Sequence, residues 1–231
     1  MFFNFSFRHF LTNPHHLAEQ IQTSSMRGFK SRIILVFLTG LLLFGVRSWW
    51  GMGTESLTSL LTTMTTTDFT IARYASLFGS LCWSIIYISF HFLGFAYILY
   101  IVTDIPFKKL LPLQLLVAGL LLMEKALVFF IFAVKGVTAN ISFLSFGPLA
   151  ATYLDTQYLI LFLNQLTITT ALIISLQYRF ILSYAQFTQK KRLLWILIAI
   201  HITMALITAA IGFVPVESWL DSITGRGVGD E

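Results

Sequence analysis

Four ionisable side chains, His91, Glu124, Lys125 and His201, interrupt otherwise apolar stretches of this chain. In hydrocarbon such groups are costly, and they mark proton paths, ion sites or buried polar pairs. Glu124 and Lys125 are sequence neighbours, so on a helix they point about 100° apart and do not face each other. Counted from Leu110 at 1.5 Å per residue, Glu124 lies roughly 21 Å along its helix. Lys125 can snorkel outward along its four-carbon stem. Glu124 is too short for that and is expected to turn inward, bonding to Tyr87 or His91 on one neighbouring segment, or to Asn164 or Gln165 on another. A structural carboxyl, neutral or hydrogen-bonded, and a functional one remain the two alternatives.

A sharper chemistry would combine His91, Glu124 and His201, which fall within roughly 10 Å of one another in depth at helical rise. Two imidazoles and a carboxylate suit zinc. Yet each comes from a different segment, and the chain has no H-E-x-x-H run and no glycine-flanked serine nucleophile. No catalytic, metal or cofactor-binding residue is therefore assigned. The simpler expectation is helix packing. His91 shares a helical stripe with Ser76, Ser80, Ser84, Tyr87 and Gly94, and His201 shares one with Ala205, Ala209 and Gly212. Asn164, Thr167, Ala171 and Ser175 form a third. Small residues at that spacing let helices approach closely, and histidines on such faces serve as interhelical hydrogen-bonders.

The elements that carry these residues follow from composition. The 231 residues are 57% hydrophobic and 11% charged, against about a quarter charged in soluble domains. That excludes an ordinary soluble globule and a disordered chain. A single cysteine, Cys82, excludes a disulfide framework. Crossing a bilayer takes roughly 20 mainly apolar residues. Five stretches qualify: Ile33 to Val46 extended by Trp49 and Trp50, Tyr74 to Thr103, Leu110 to Val134, Thr156 to Tyr178, and Leu193 to Val216. The uncharged segment 136–154 holds Gly147-Pro148, a breaker pair, and is expected to be an outer loop, partly re-entrant, rather than a sixth span. The predicted fold is an all-α integral membrane bundle of five transmembrane helices with short interfacial helices.

Orientation follows from the cations. Arg8, Arg27, Lys30, Arg32, Lys108, Lys109, Arg179, Lys190, Lys191 and Arg192 fall on one side, and Arg47, Arg73, Lys135 and Arg226 on the other. The basic side faces the cytoplasm, giving N-in and C-out in the plasma membrane. The net charge of +5 is thus dispersed as topology signals, with no nucleic-acid face. No small-residue cleavage site follows Val46, so the first span is expected to stay as an anchor.

Three regions flank or join the spans. Residues 1–30 carry Phe2, Phe3, Phe5, Phe7 and Phe10, then Asn13-Pro14 as a helix start, then Leu17 and Ile21 at helical spacing. They are expected to form an amphipathic segment on the inner membrane surface. The transmembrane domain is 31–216, and 217–231 is a short acidic tail. Leu57, Leu60, Leu61 and Met64 suggest a short helix in the first outer loop. Asn140-Ile141-Ser142 is a glycosylation sequon of little weight. No loop is long enough for a soluble catalytic module, and no P-loop occurs.

A basic prelude bearing Phe10-Leu11-Thr12-Asn13-Pro14, ahead of five closely spaced hydrophobic helices, resembles the Yip-type membrane domain in a compact bacterial form. The Asp-Leu-Tyr-Gly-Pro motif of eukaryotic members is absent, and Phe146-Gly147-Pro148 is only a fragment of it. No functional residue is carried over. Length and layout are most similar to the accessory subunit of a four-component ABC exporter. That resemblance implies three partners besides the lipid bilayer: an ATPase, a permease and a membrane-fusion-like protein. It also implies a role in exporter assembly and in protection against a secreted toxic peptide. An autonomous small transporter or channel is the alternative, with an intramembrane metal-dependent hydrolase behind it.

Overall fold

The computed structural model describes residues 2–52, 65–138, 141–185 and 189–213. The expected outer-loop helix, the asparagine of the sequon and the acidic tail lie outside them. The chain is an all-α membrane protein. Among the described residues, five helices are long and apolar enough to cross a bilayer: 29–50, 66–103, 107–135, 168–185 and 190–212. It divides into two compact units, 1–140 with 168–198, and 141–167 with 199–231.

In the first unit the N-terminal segment comprises strand β1 (Phe2–Phe3), helices α1 (Phe7–Thr12) and α2 (Pro14–Thr23), and strand β2 (Ser25–Met26), which pairs parallel with β1. Pro14 opens α2 at its first turn, where a missing N–H costs nothing and the fixed φ suits a helix. Helix α3 (Phe29–Trp50) follows and closes at Gly51, whose φ of 106° only glycine adopts without strain. The N–H groups of Gly51 and Met52 take up the carbonyls of Ser48 and Arg47.

Helix α4 (Thr66–Ser89) is capped by Thr65, whose hydroxyl accepts from the Asp68 N–H at 3.2 Å. It runs through a π-helical turn (Phe90–Gly94) into α5 (Phe95–Thr103). Helix α6 (Phe107–Lys135) is the core of this unit. Half of its most apolar window is buried, against 11% for α3. Helices α1, α2, α3 and α5, the π turn and α9 (Ile168–Ala185) all pack on α6.

The N-terminal segment carries the expected apolar face, and that face is covered by protein. Phe10, Leu17, Ala18 and Ile21 are at most 2% exposed. Helix α2 lies against α9, the Lys109 ammonium donates to the Ile21 carbonyl, and the Gln22 amide donates to the Tyr184 carbonyl at 2.8 Å. Phe3 and Phe5 pack on Phe10 with ring centroids 5.9 and 5.5 Å apart. Helical periodicity reveals that a face is apolar; whether lipid or protein covers it depends on where the chain folds back. Deeper in, Phe7 lies over Gly119, where an added Cβ would come within 2.5 Å of the ring. Gly119→Leu should therefore overpack this contact at a cost of about 1–3 kcal/mol. Phe7→Ala should recover part of that loss in thermal melts of the double variant; strictly additive losses would show that the two sites do not meet.

The second unit begins within segment 136–154, expected as a loop, which contains a short helix α7 (Gly147–Tyr153), and the expected fourth span begins as a separate helix α8 (Gln157–Gln165). At roughly 1.5 Å per residue neither is long enough to cross. Leu166 is extended, and helical structure resumes in α9. The break is held by bonds to residues about twenty positions earlier in the chain. Asn164 accepts from the Ser142 N–H at 2.8 Å and from the Ser145 hydroxyl at 2.9 Å, and the Phe146 N–H donates to the Leu166 carbonyl. These bonds satisfy backbone that leaves the helix, and protein cover makes such backbone tolerable at membrane depth. The last helix, α10 (Lys190–Phe213), contributes residues from 199 onward to this unit, where Tyr158 donates to the Leu206 carbonyl and Gly212 faces Leu161.

Candidate functional site: a buried polar cluster

Glu124 is 6% exposed near the middle of α6, as its short side chain requires. Tyr87 of α4, one of its expected partners, lies within its electrostatic reach. So does Lys125, its sequence neighbour, which is half-buried. The arrangement adds a residue that sequence reasoning missed. Arg47 of α3 interacts electrostatically with both Tyr87 and Lys125. In the sequence it stands near the end of a span and reads as an outer-side topology charge. Helix α3, however, packs on both α4 and α6, and its 5.6 Å stacking over Phe44 holds the guanidinium against the bundle. The available signal was the four-residue spacing from Gly40 through Phe44 to Ser48, the three residues that α3 buries. Arg47 falls beside that seam.

An aromatic series extends from this cluster. Phe44 meets Tyr87 at 5.8 Å, Tyr87 meets the His91 ring edge-on at 4.5 Å, and His91 stacks on Phe95 at 6.0 Å with 15° between planes. His91 lies within the π turn, where the Phe95 N–H bonds back five residues to the Phe90 carbonyl. A π turn re-aims the side chains around it and recurs at functional positions. Here it lets Tyr87, His91 and Phe95 lie on one face. The expected small-residue face of α4 is present and used: Ser84 is fully buried and the Ser80 hydroxyl donates to the Phe44 carbonyl at 3.3 Å.

The other candidates fall in the second unit. Asn164 holds the α7–α8 connection as described. Gln165 ends α8 and is half-buried. His201 is half-buried on α10, one turn from the buried Ala205. Among the described residues no three His, Cys, Asp or Glu side chains come together in a way that could hold a metal ion.

Chemically, the first-unit cluster brings a carboxyl, a phenol, a guanidinium and an ammonium together inside apolar surroundings. It can hold charge that the bilayer would otherwise exclude. A surface cavity of about 120 Å³ between α3 and α4 is lined by Ser48, Trp49, Phe69, Arg73 and Tyr74. That is below the roughly 300 Å³ of ordinary small-molecule sites. Arg73 closes it, donating to the Trp49 carbonyl at 2.9 Å. Compared with known proteins, the chain matches no family model, no curated protein and no solved structure.

Proposed function

We propose that this protein is a non-enzymatic scaffold or assembly subunit of a membrane transport complex in the plasma membrane. The resemblance to the Yip-type domain suggests the accessory component of an ABC exporter as the closest kind. In that role its partners are an ATPase, a permease and a membrane-fusion-like protein, and protection against a secreted toxic peptide is the physiological output. One observation supports the reading above others. Helix α3 buries only Gly40, Phe44 and Ser48 over 22 residues, leaving Ile34, Leu35, Leu38 and Leu42 exposed along its length. Such a face is available to a partner helix.

Photo-crosslinking residues placed at positions 35, 38 and 42 test this. The scaffold reading expects covalent adducts with a subunit of an ATP-driven complex, and co-purification of that complex in mild detergent. Crosslinks to lipid alone at all three positions would count against it.

The buried Glu124, with Tyr87 and Arg47 half-buried around it, favours a second reading, an autonomous ion-coupled transporter. Transport by the purified chain alone in vesicles, abolished by Glu124→Gln, would establish it in place of the first.

Both readings share the N-in, C-out orientation. Accessibility labelling after Cys82→Ala should find a cysteine at position 68 reactive from outside and one at position 190 only after permeabilisation. The reverse pattern would invert the topology.

A further inference from the structure

We propose that His9 and His16 form a two-imidazole site for a late first-row divalent cation such as Zn²⁺, Cu²⁺ or Ni²⁺. The two rings come from different helices, α1 and α2, and the Asn13 turn between the helices brings them together. Nε2 of His9 and Nδ1 of His16 face each other at 2.9 Å, with ring centroids 5.0 Å apart and planes nearly perpendicular. Two nitrogens each about 2.0–2.1 Å from one ion stand about 2.9–3.4 Å apart for angles between a right angle and tetrahedral. The pair is hydrogen-bonded as it stands, and the separation falls at the near end of that range, so a cation takes the place of the shared proton once the rings turn to aim both lone pairs at it. Both rings are exposed, which leaves water to complete the coordination.

The support around the pair fits the same chemistry. A ligating imidazole is oriented by a bond from its other ring nitrogen to an acceptor. Nε2 of His16 lies 3.3 Å from the side-chain amide of Gln20, whose oxygen is buried and has no hydrogen-bond partner. The amide oxygen and nitrogen exchange places by a flip. After that flip Oε1 accepts the His16 Nε2–H, which leaves Nδ1 free to ligate. His15, the adjacent imidazole, is instead engaged with the Ser183 hydroxyl on α9 and does not belong to the site. Imidazole prefers Zn, Cu and Ni over Mg or Ca, which sets the class of ion. A bound ion would tie α1 to α2 and stabilise the docked N-terminal segment by mass action.

The test uses the full-length protein in detergent, purified without a histidine tag. Calorimetric titration with Zn²⁺ should give one site, and Cu²⁺ bound at one equivalent should show two nitrogen ligands by electron paramagnetic resonance. His9→Ala and His16→Ala should each weaken binding by about tenfold or more, and His15→Ala should leave it unchanged. Zn²⁺ should raise the melting temperature of the parent and of His15→Ala but not of the other two. Binding of equal strength in the parent, His9→Ala and His16→Ala, or no binding in the parent, would overturn the proposal.

Discussion

Glu124→Leu should leave far less folded protein than Glu124→Gln. Leucine has similar volume and suits a bilayer, so hydrophobicity alone would favour it. The neighbours decide otherwise. Glu124 and Arg47 both act on Lys125, and without the carboxyl group the Lys125 and Arg47 side chains are left near each other in apolar surroundings. Removing one partner of a buried ionic group typically costs about 3–5 kcal/mol. Glutamine keeps the shape and the hydrogen-bonding capacity, so its loss should be smaller. The informative companion is Arg47→Met combined with Glu124→Leu. Removing both partners leaves fewer uncompensated charges, and the double variant should melt above Glu124→Leu alone. Thermal melts in detergent with quantified expression measure all three. A Glu124→Leu protein as stable as its parent would show that the carboxylate balances nothing. If Glu124→Gln folds and assembles normally but loses function, the carboxyl has a proton-coupled role.

The second large effect concerns the N-terminal segment. Phe10 and Leu17 are 1% and 0% exposed, and they hold α1 and α2 together over α6 and α9. Truncating each to alanine should cost about 3–5 and 2–5 kcal/mol respectively, from lost burial plus the cavity left behind. The two sites are close, so the combined loss should fall short of the sum. The segment should then detach before the spans unfold. Limited proteolysis from the Lys30 side should cleave the double variant within residues 8–32 under conditions that leave the parent intact. Equal protease resistance would mean that the segment is held by something other than this core. An amphipathic segment lying on lipid alone would be cut at similar rates in both proteins, so the same experiment separates protein docking from membrane adsorption.

The sequence by itself determined the all-α membrane class and the number of spans. Those depend on the length and apolarity of continuous stretches, which are local properties of the chain. It also placed Glu124 in the interior, because a short carboxylate at mid-span cannot reach water. The split of the fourth apolar stretch at Leu166 was hidden from it. Asn164 and Gln165 carry no formal charge, so a charge-free run looks continuous. The break arises from bonds between Asn164 and Ser142 and Ser145, residues about twenty positions away. The π turn at His91 was hidden for a related reason: one extra residue per turn depends on what packs beside the helix. Arg47 is the clearest case. Its position near a span end reads as a topology signal, and only the packing of α3 on α4 and α6 brings it within reach of Tyr87 and Lys125. The apolar face of residues 10–21 was legible as a pattern, yet its partner was not. Periodicity records which side of a helix avoids water, and the tertiary fold decided that α6 and α9 cover it.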